Sequence, residues 1–361
     1  MIKRKKTKQV LVGNITVGGD APISVQSMAT TKTYDTNATL NQIENLEDAG
    51  CQIIRVTVPD EKSAKALTEI KKNMTVPLVA DIHFNYKMAL MAVDAGVDKI
   101  RINPGNIGSK ERVRDVLTKV KSAGIPIRIG VNAGSLEKDL LEKYGYPTAE
   151  AMVESARRHI NICNENDFHD IIVSLKASNV NLMLDANRLF SEEFDIPLHL
   201  GVTEAGPIKS GTIKSSVGIG ALLASGIGDT IRVSLTGDPV EEVHVGYELL
   251  KSLGLATKGV TIVACPTCGR LEVDLFKIAG EMEEKLSHIK TPMSIALMGC
   301  AVNGPGEASH TDLGIAFGKG GGLLYYQGKS IGKVREKDAI NRLEELIKQF
   351  EEENEVSSEN E

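Results

Sequence analysis

The sequence predicts an α/β protein in which a (β/α)8 TIM barrel is followed by a smaller α+β domain. Between residues 21 and about 255, a short β-branched run followed by an amphipathic stretch recurs eight times, which indicates parallel strands joined by right-handed helical crossovers. Eight such units in roughly 230 residues match the usual size of a (β/α)8 barrel. A doubly wound sheet would require a GxGxxG turn after its first strand, and the sequence has none there.

The elements of the predicted barrel follow one another in regular order. Residues 9–20 read as a hairpin around Gly13 and Asn14 that is expected to close the barrel floor. The eight predicted strands are Ile23–Met28, Ile53–Val58, Pro77–Ile82, Lys99–Asn103, Ile125–Val131, Asp170–Lys176, Pro197–Glu204 and Thr230–Thr236. Helical patterns between them include Asn37–Ala49, Lys110–Ala123, Ala149–Asn164 and Val240–Leu253, with Asp60, Ser109 and Thr148 available as N-terminal caps.

The repeated strand–helix pattern of the sequence ends before Gly259, and a different arrangement of elements follows. Strands are predicted at Val260–Ala264 and Met293–Met298, a helix at Leu271–Leu286, and a final helix near Lys337–Glu353. We therefore expect a barrel domain over residues 1–258 and a second domain over residues 259–361. The second domain is expected to end in a disordered acidic tail from about residue 351 to residue 361, where the last eleven residues include six acidic side chains and no basic one.

Composition excludes several classes of protein. The chain has 42 Lys and Arg against 48 Asp and Glu, so without the six acidic residues of the tail the body is balanced, and a nucleic-acid binder should be clearly basic. No apolar run approaches the ~18 residues that span a bilayer, and no apolar segment of a signal peptide follows the basic N-terminus. Five cysteines without an export signal indicate a cytoplasmic protein with metal-binding or catalytic thiols rather than disulfides.

Three cysteines of the second domain form a candidate metal site. Cys265 and Cys268 make a CxxC motif at the end of a strand, and Cys300 follows the next predicted strand, so the three thiolates converge if the strands are neighbours. A structural zinc site would need a fourth soft ligand, and a redox dithiol would leave Cys300 without a role. The spacing favours a [4Fe–4S] cluster with one iron that is not bound by a thiolate, for which Glu307 and His310 are candidate ligands.

Five of the predicted barrel strands carry an Arg or Lys side chain on one strand face. If that face points inward, basic side chains and the polar residues that share their face converge at the C-terminal mouth, where most barrels would have Val, Ile or Leu. The members of this set are Arg55, Arg101, Arg128, Lys176 and Arg232, with Asn103, Asn132 and Ser234. The alternative is a set of internal ion pairs with Asp81 and Glu204. A surplus of cations indicates a multiply charged anion such as a diphosphate. His83 and Glu204 also lie at strand ends, where either side chain could act as a general acid or base.

These motifs together resemble one family, the 4-hydroxy-3-methylbut-2-enyl diphosphate synthases, in their two-domain bacterial form. The resemblance covers nearly the whole chain and is carried by SVQSMATTKTYD, RVTVPD, ADIHFNY, KIRINPGNIG, IRIGVNAGSL, HLGVTEAG, IRVSLTGDP, CPTCGR and MGCAVNGPGEASHTDLGIA. CPTCGR alone would be weak, whereas the last two motifs together are highly specific.

The resemblance implies a function and a set of site residues. The family reduces 2-C-methyl-D-erythritol 2,4-cyclodiphosphate to 4-hydroxy-3-methylbut-2-enyl diphosphate in isoprenoid biosynthesis, with electrons from flavodoxin or ferredoxin. It implies that Cys265, Cys268, Cys300 and Glu307 ligate a [4Fe–4S] cluster and that Glu204 donates a proton. Substrate would be bound by Arg55, His83, Arg101, Asn103, Arg128, Asn132, Lys176, Arg232 and Ser234. The family is dimeric, and the cluster domain of one subunit closes the barrel of the other.

Two other functions compete with this one. A phosphate-binding barrel of aldolase or pterin-binding type with a structural zinc appendage predicts a colourless protein that is active in air. An electron-transfer module fused to an inert barrel predicts a coloured protein whose barrel tolerates loss of Arg101 or Arg128.

Overall fold

The chain folds into two compact units, Met1–Leu255 and Ala256–Glu361, called the barrel unit and the cysteine unit below. The computed structural model describes residues 2–256, 259–286 and 289–358. The predicted domain boundary at residue 258 lies outside these described residues.

The barrel unit contains an N-terminal hairpin and eight parallel strands. The hairpin consists of β1 (Val10–Val12) and β2 (Ile15–Val17). The barrel strands are β3 (Ser24–Met28), β4 (Ile53–Thr57), β5 (Leu78–Asp81), β6 (Lys99–Arg101), β7 (Ile127–Asn132), β8 (Ile171–Lys176), β9 (His199–Leu200) and β10 (Thr230–Ile231). Their order is β8-β7-β6-β5-β4-β3-β10-β9, and a parallel bridge between Val173 and Leu198 joins the two ends. The predicted barrel is therefore confirmed.

Nine helices occur in the described part of this unit. They are α1 (Thr36–Asp48), α2 (Glu61–Lys72), α3 (Tyr86–Asp94), α4 (Lys110–Ala123), α5 (Lys138–Tyr144), α6 (Ala149–Glu165), α7 (Val180–Glu193), α8 (Ile208–Ala224) and α9 (Pro239–Ser252). Two predicted caps are present, since Asp60 accepts from Ser63 N and Thr148 from Ala151 N, whereas Ser109 makes no side-chain cap bond. No helix in the described residues is long and apolar enough to cross a bilayer.

The hairpin closes the floor of the barrel, as its position in the sequence predicts. Val10, Val12 and Val17 are buried against the first inward-facing side chains of the strands, including Ile53 of β4 and Ile172 of β8. This apolar cluster seals the N-terminal end of the barrel. Polar residues such as Asp81 and Lys176 lie at the C-terminal ends of their strands, away from this cluster.

Strands β9 and β10 are shorter than the sequence predicts. Residues Pro197–Glu204 were expected to be extended, yet the ladder covers only His199 and Leu200, and the expected strand Thr230–Thr236 is reduced to Thr230 and Ile231. Glu204, four residues after the end of β9, has a φ of +50°, and an isolated parallel bridge joins Pro207 to Thr236. The segments after both strands therefore form part of the barrel mouth.

The cysteine unit is a five-stranded sheet covered by helices. Its elements are β11 (Val260–Ala264), α10 (Leu275–Leu286), β12 (Met293–Met298), α11 (Gly304–Ala308), β13 (Leu313–Gly318), β14 (Gly321–Tyr326), β15 (Lys329–Val334) and α12 (Ala339–Ser358). Strands β11, β12 and β13 are parallel and β13, β14 and β15 antiparallel. Side chains such as Met282 of α10 and Leu343 of α12 pack with Ile295 in one core.

Two helix boundaries of the cysteine unit differ from the sequence prediction. Helix α10 begins at Leu275 rather than Leu271, because Asp274 accepts a hydrogen bond from Lys277 N and starts the helix there. Helix α12 continues to Ser358, so it extends into the segment expected to be a disordered tail from about residue 351. Its last turns carry bonds from Asn354 to Phe350 O and from Tyr326 to Glu353. Residues 359–361 lie outside the described residues.

Candidate active site

Arg55, Asp81 and Arg101 form an ionic cluster on three adjacent strands. Arg55 Nε lies 3.7 Å from one carboxylate oxygen of Asp81, and Arg101 Nη1 lies 3.5 Å from the other. Burial would raise the pKa of Asp81, but the two guanidinium groups hold it below its usual value. Asp81 is therefore an ionised carboxylate that orients two arginines toward the mouth.

A second carboxylate, Glu242 of α9, holds Arg232 in a bidentate pair. Arg232 Nε and Nη2 each lie 3.1 Å from a Glu242 oxygen, and the same carboxylate accepts from Ser27 Oγ and Leu235 N. The ion-pair alternative predicted Glu204 in this role, which is wrong, because Glu204 is an exposed residue in the turn after β9. Glu242 was missed because it lies on a helix rather than on a strand end.

Arg128 and Lys176 are less compensated than the other cations. Arg128 is 1% exposed, and its Nε and Nη1 have no hydrogen-bond partner among the described residues. Lys176 Nζ lies 2.7 Å from the position that a Cβ would occupy at Gly201, and Arg101 Nε lies 2.5 Å from the corresponding position at Gly130. Two glycines thus leave the space into which cationic side chains project.

The predicted polar residues lie beside these cations. The Asn103 side chain makes two hydrogen bonds with the backbone of Gly130, donating to its carbonyl oxygen at 3.0 Å and accepting from its N–H at 2.8 Å. Asn132, at the end of β7, accepts from Gly134 N and donates to Thr203 Oγ1 at 3.4 Å. Ser234 is half-buried, three residues beyond the end of β10.

The two predicted acid–base residues are both solvent-exposed at the mouth. His83 Nδ1 lies 3.9 Å from Asp81 Oδ1, and partial burial lowers the pKa of His83 despite that carboxylate. Glu204 has a left-handed backbone conformation. A non-glycine residue in that region is strained, and such strain is concentrated at functional sites.

Lys99 and His199 are buried in the interior and were not singled out from the sequence. Both are completely buried, and burial lowers the pKa of Lys99 and of His199 well below the usual values. The period-two phase could have found Lys99, since it shares a strand face with Arg101. Among the described residues, the buried carboxylates that pair with interior cations are Asp81 and Glu242, whereas the buried Asp229 pairs with Arg4. The interior Arg and Lys side chains, with Lys99 included, number six: Arg55, Lys99, Arg101, Arg128, Lys176 and Arg232.

His159 of α6 fixes the loop that follows β6. Its Nδ1 accepts from Gly105 N at 3.1 Å, and its Nε2 lies 3.2 Å from Glu137 Oε1. Acceptance at Nδ1 requires the proton to be on Nε2, where it is donated to Glu137. Gly105 lies two residues after Asn103, so this contact positions one edge of the mouth.

In the cysteine unit, Cys265 and Cys300 follow adjacent parallel strands. Strands β11 and β12 pair in register up to Ala264 and Leu297, and Cys265 N donates to Leu297 O. Cys265 Sγ lies 3.6 Å from where a Cβ at Gly299 would be. Thr267, within the CxxC turn, has a φ of +55°, which is a strained conformation for a β-branched residue. The convergence condition set by the sequence, that the two strands are neighbours, is met.

The thiol of Cys300 is held in a polarised environment. Hydrogen bonds from the N–H groups of Val302 and Asn303, together with the Arg270 guanidinium, lower the pKa of Cys300 and favour the thiolate that binds metals. Glu307 on α11 and His310 follow Cys300 closely in the sequence, and both are exposed to solvent. Within the described residues, no three side chains of His, Cys, Asp or Glu are close enough together to hold a metal ion.

The fold and site define a two-unit α/β protein: a (β/α)8 barrel with a cation-rich interior, joined to a small unit in which cysteines follow adjacent strands. The model of the GcpE TIM-barrel domain matches residues 7–247, and that of the GcpE protein C-terminal domain matches residues 261–349. The chain belongs to the GcpE family.

Curated relatives match over nearly the full length of both chains. A protein of Geobacillus thermodenitrificans is 58% identical over 353 residues, which cover 98% of this chain and 94% of the relative. A protein of Shouchella clausii is 58% identical, covering 98% and 96%, and one of Bacillus mycoides is 56% identical, covering 96% and 95%. Each is named 4-hydroxy-3-methylbut-2-en-1-yl diphosphate synthase (flavodoxin).

Proposed function

We propose that this protein is the enzyme that opens and dehydrates 2-C-methyl-D-erythritol 2,4-cyclodiphosphate to 4-hydroxy-3-methylbut-2-enyl diphosphate in isoprenoid biosynthesis. The reaction consumes two electrons and two protons and releases one water, so it is an oxidoreductase reaction. Flavodoxin is the electron donor that the names of the relatives favour. Two observations together carry the proposal. The barrel unit has a surplus of buried cations over carboxylates, and the cysteine unit of the same chain has a CxxC motif and a third cysteine.

The barrel interior suits a diphosphate ester. Asp81 and Glu242 orient Arg55, Arg101 and Arg232 without neutralising the whole set, and Arg128 and Lys176 add further positive charge. Charge-assisted hydrogen bonds to phosphate oxygens are the strong class of hydrogen bond. Asn103, Asn132, His83 and Ser234 would complete the contacts around the sugar alcohol and diphosphate. These side chains bind and orient the substrate and neutralise its charge.

The thiol donor set suits a [4Fe–4S] cluster. Cys265, Cys268 and Cys300 would supply three thiolates, since the first and last follow adjacent strands and the pKa of Cys300 is lowered. Glu307 would bind the remaining iron, because a carboxylate is a harder and weaker ligand than a thiolate and can yield to substrate. When bound, the cluster supplies single electrons. Cys51 and Cys163 are buried with raised thiol pKa values of about 12, which makes them inert.

Glu204 is proposed to hold the proton that leaves with the hydroxyl group as water. It is exposed at the barrel mouth, in the turn after β9, and has a left-handed backbone conformation. A proton donor must reach the departing oxygen within hydrogen-bond distance, and the mouth is where substrate carbon atoms would lie once the diphosphate is bound below. We further propose that the protein acts as a homodimer, the state that the resemblance to its family implies.

The proposal is tested by anaerobic purification with iron, sulfide and zinc analysis, followed by reduction assays on the cyclic diphosphate with reduced flavodoxin. We expect a brown protein with four iron and four sulfide per chain and turnover that is lost in air. Stoichiometric zinc without sulfide would instead support the zinc-bearing barrel and overturn the cluster.

One substitution separates the enzyme from an electron carrier, and a second tests whether Glu307 is a ligand. Arg128→Met should lower kcat/KM by roughly 100-fold, because a hydrogen-bonded charge contributes ~1.5–3 kcal/mol, while exposed Lys62→Met serves as the control with the same charge change. Undiminished binding of substrate by Arg128→Met would favour the carrier. Glu307→Ala should retain iron but change its spectrum, and an unchanged spectrum would remove Glu307 from the ligand set in favour of His310 or solvent.

A further inference from the structure

A layer of buried polar groups lies beneath the mouth of the barrel, and nothing in the proposed substrate contacts uses most of it. The layer consists of Gln26, Lys99, Arg128 and His199, each 0–1% exposed. In the strand register, Lys99 lies beside Val79, and Arg128 lies beside Ile172. Val79 and Ile172 belong to the apolar floor cluster, so Lys99 and Arg128 begin next to the barrel floor. We call these four residues the interior polar layer.

The interior polar layer is unsatisfied within the described residues. Lys99 Nζ, Arg128 Nε and Nη1, both ring nitrogens of His199 and both amide atoms of Gln26 have no hydrogen-bond partner. Buried polar atoms are normally paired, and each exception needs an explanation. So many orphaned atoms facing one interior indicate a ligand rather than isolated packing defects.

The charge of the layer indicates which ligand it binds. The largest charge effects on Lys99 come from Arg128 and Arg55, and those on His199 come from Arg128, Lys176, Lys99 and Arg55, which are all cations. The carboxylate of Asp81, which acts on Arg128, is already shared by Arg55 and Arg101. Burying unpaired cations is costly unless an anion compensates them, and the orphaned atoms are mostly N–H donors. A compact ligand with several acceptor oxygens and negative charge satisfies both conditions.

We infer that Lys99, with Arg128 and His199, forms an interior phosphate subsite above the barrel floor. It receives a phosphoryl group, which is either the deeper phosphate of the substrate or a free inorganic phosphate. This inference deepens the proposed function and rests on it for the identity of the substrate, but the subsite itself is a property of the barrel. Lys99 is thereby assigned a role in binding that the mouth residues alone do not include.

The subsite is tested by titrating inorganic diphosphate and, separately, orthophosphate into the full-length, anaerobically purified protein in a calorimeter. Lys99→Met should weaken diphosphate binding at least tenfold, whereas Lys62→Met, an exposed position on α2, should stay within twofold of the parent. Lys99→Gln, which keeps hydrogen-bonding capacity without the charge, should bind as weakly as Lys99→Met. Orthophosphate affinity that also depends on Lys99 would identify a free anion as an occupant; dependence for diphosphate alone would identify the substrate phosphate.

Thermal unfolding of the same proteins gives an independent readout. If Lys99 is an uncompensated buried cation, Lys99→Met should melt at a higher temperature than the parent in the absence of phosphate and should lose most of the rise that diphosphate causes. Diphosphate affinity unchanged by Lys99→Met and Lys99→Gln overturns the subsite. Because none of these measurements involves turnover, the subsite can fail while the parent still reduces the cyclic diphosphate, and the reverse outcome would instead overturn the proposed function.

Discussion

Glu242 organises one side of the barrel mouth through four hydrogen bonds. It pairs with Arg232 in bidentate geometry and also accepts from Ser27 Oγ and Leu235 N. It is 3% exposed. Since removing one partner of a buried pair leaves an uncompensated charge, this carboxylate is expected to matter for stability more than any surface ion pair of the molecule.

The Arg232–Glu242 pair gives the first prediction. Glu242→Gln should lower the free energy of unfolding by about 3 kcal/mol, because the Arg232 guanidinium loses its counter-ion in a buried place. Chemical denaturation followed by circular dichroism measures this change. The double variant Arg232→Met, Glu242→Leu should recover most of the loss, since apolar replacements leave no orphaned charge. Equal losses in the single and double variants would contradict this account.

A substitution at Gly130 is expected to weaken substrate binding without destabilising the fold. A methyl group at this position would lie 2.5 Å from Arg101 Nε, so the flexible guanidinium rather than the backbone must move. Gly130→Ala should therefore raise KM for the cyclic diphosphate by roughly tenfold, equivalent to ~1.4 kcal/mol, with little change in melting temperature. Gly220→Ala is the control, because the added methyl group meets no side chain or other element within 4 Å beyond its immediate chain neighbours, and its KM should equal that of the parent. An unshifted KM in Gly130→Ala would mean that Arg101 does not contact substrate.

The residues that sequence reasoning recovered and those it missed differ in how they are encoded. Arg55, Arg101 and Arg128 lie on strands whose period-two alternation could be read directly from the sequence. Glu242 and His159 come from helices that pack against the strand ends, and nothing local in the sequence tells which helical side chain reaches a given strand. His199 lies within the predicted strand Pro197–Glu204, but Gly201 and Thr203 follow it on the same strand face, so no repeated cation marked that face.

The N-terminal hairpin contributes to the barrel through one face only. In β1, Val12 is completely buried in the floor cluster, whereas the preceding Leu11 is 60% exposed. Val12→Ala should therefore destabilise the protein by about 1–3 kcal/mol through lost burial and a residual cavity. Leu11→Ala should change stability by less than about 0.5 kcal/mol. Denaturant midpoints of the two variants decide the point, and similar effects would show that the hairpin does not close the floor.

The contact between α6 and the loop after β6 should be sensitive to acid. Burial opposes the effect, but hydrogen bonds from His159, the Glu137 N–H and Ser155 lower the pKa of Glu137 to about 2. A carboxyl whose folded pKa lies below its unfolded value of about 4.5 adds stability above pH 4.5 and loses it as the pH falls toward 2. Because Glu137 is partly exposed, its contribution should be about 1 kcal/mol.

Glu137→Gln tests this pH dependence. Unfolding free energies measured from pH 6 down to pH 2 should fall less steeply in Glu137→Gln than in the parent between pH 4.5 and pH 2. Ser155 Oγ can still donate to the amide oxygen, so the substitution keeps the local packing. Glu150→Gln, which is exposed in the first turn of α6, is the matched control and should follow the parent curve. Parallel curves for parent and Glu137→Gln would exclude the depressed pKa.

The whole molecule consists of two units whose cores are built by different rules, and this decides how much of each was predictable. Eight repeated strand–helix units identify a barrel even when individual boundaries are wrong, because alternation and crossover handedness restrict the topology. The cysteine unit has only one such rule, the parallel order of β11, β12 and β13. Its helix α10 starts where Asp274 caps it, and Tyr326 of β14 donates a hydrogen bond to Glu353 of α12. Local periodicity reveals neither contact.

The separate cores predict that removing the proposed [4Fe–4S] cluster affects the two units differently. Metal binding to thiolates is coupled to the folding of the unit that supplies them, and Cys265, Cys268 and Cys300 all belong to Ala256–Glu361. Hydrogen exchange measured by mass spectrometry before and after anaerobic chelation should show lost protection in peptides around β11, β12 and α11. Peptides from β7, β8 and the N-terminal hairpin should keep theirs. The variant Cys163→Ala, which removes a thiol of the barrel unit, should show the parent pattern in both states. Equal loss of protection in the barrel strands would mean that the fold of the barrel depends on the cluster.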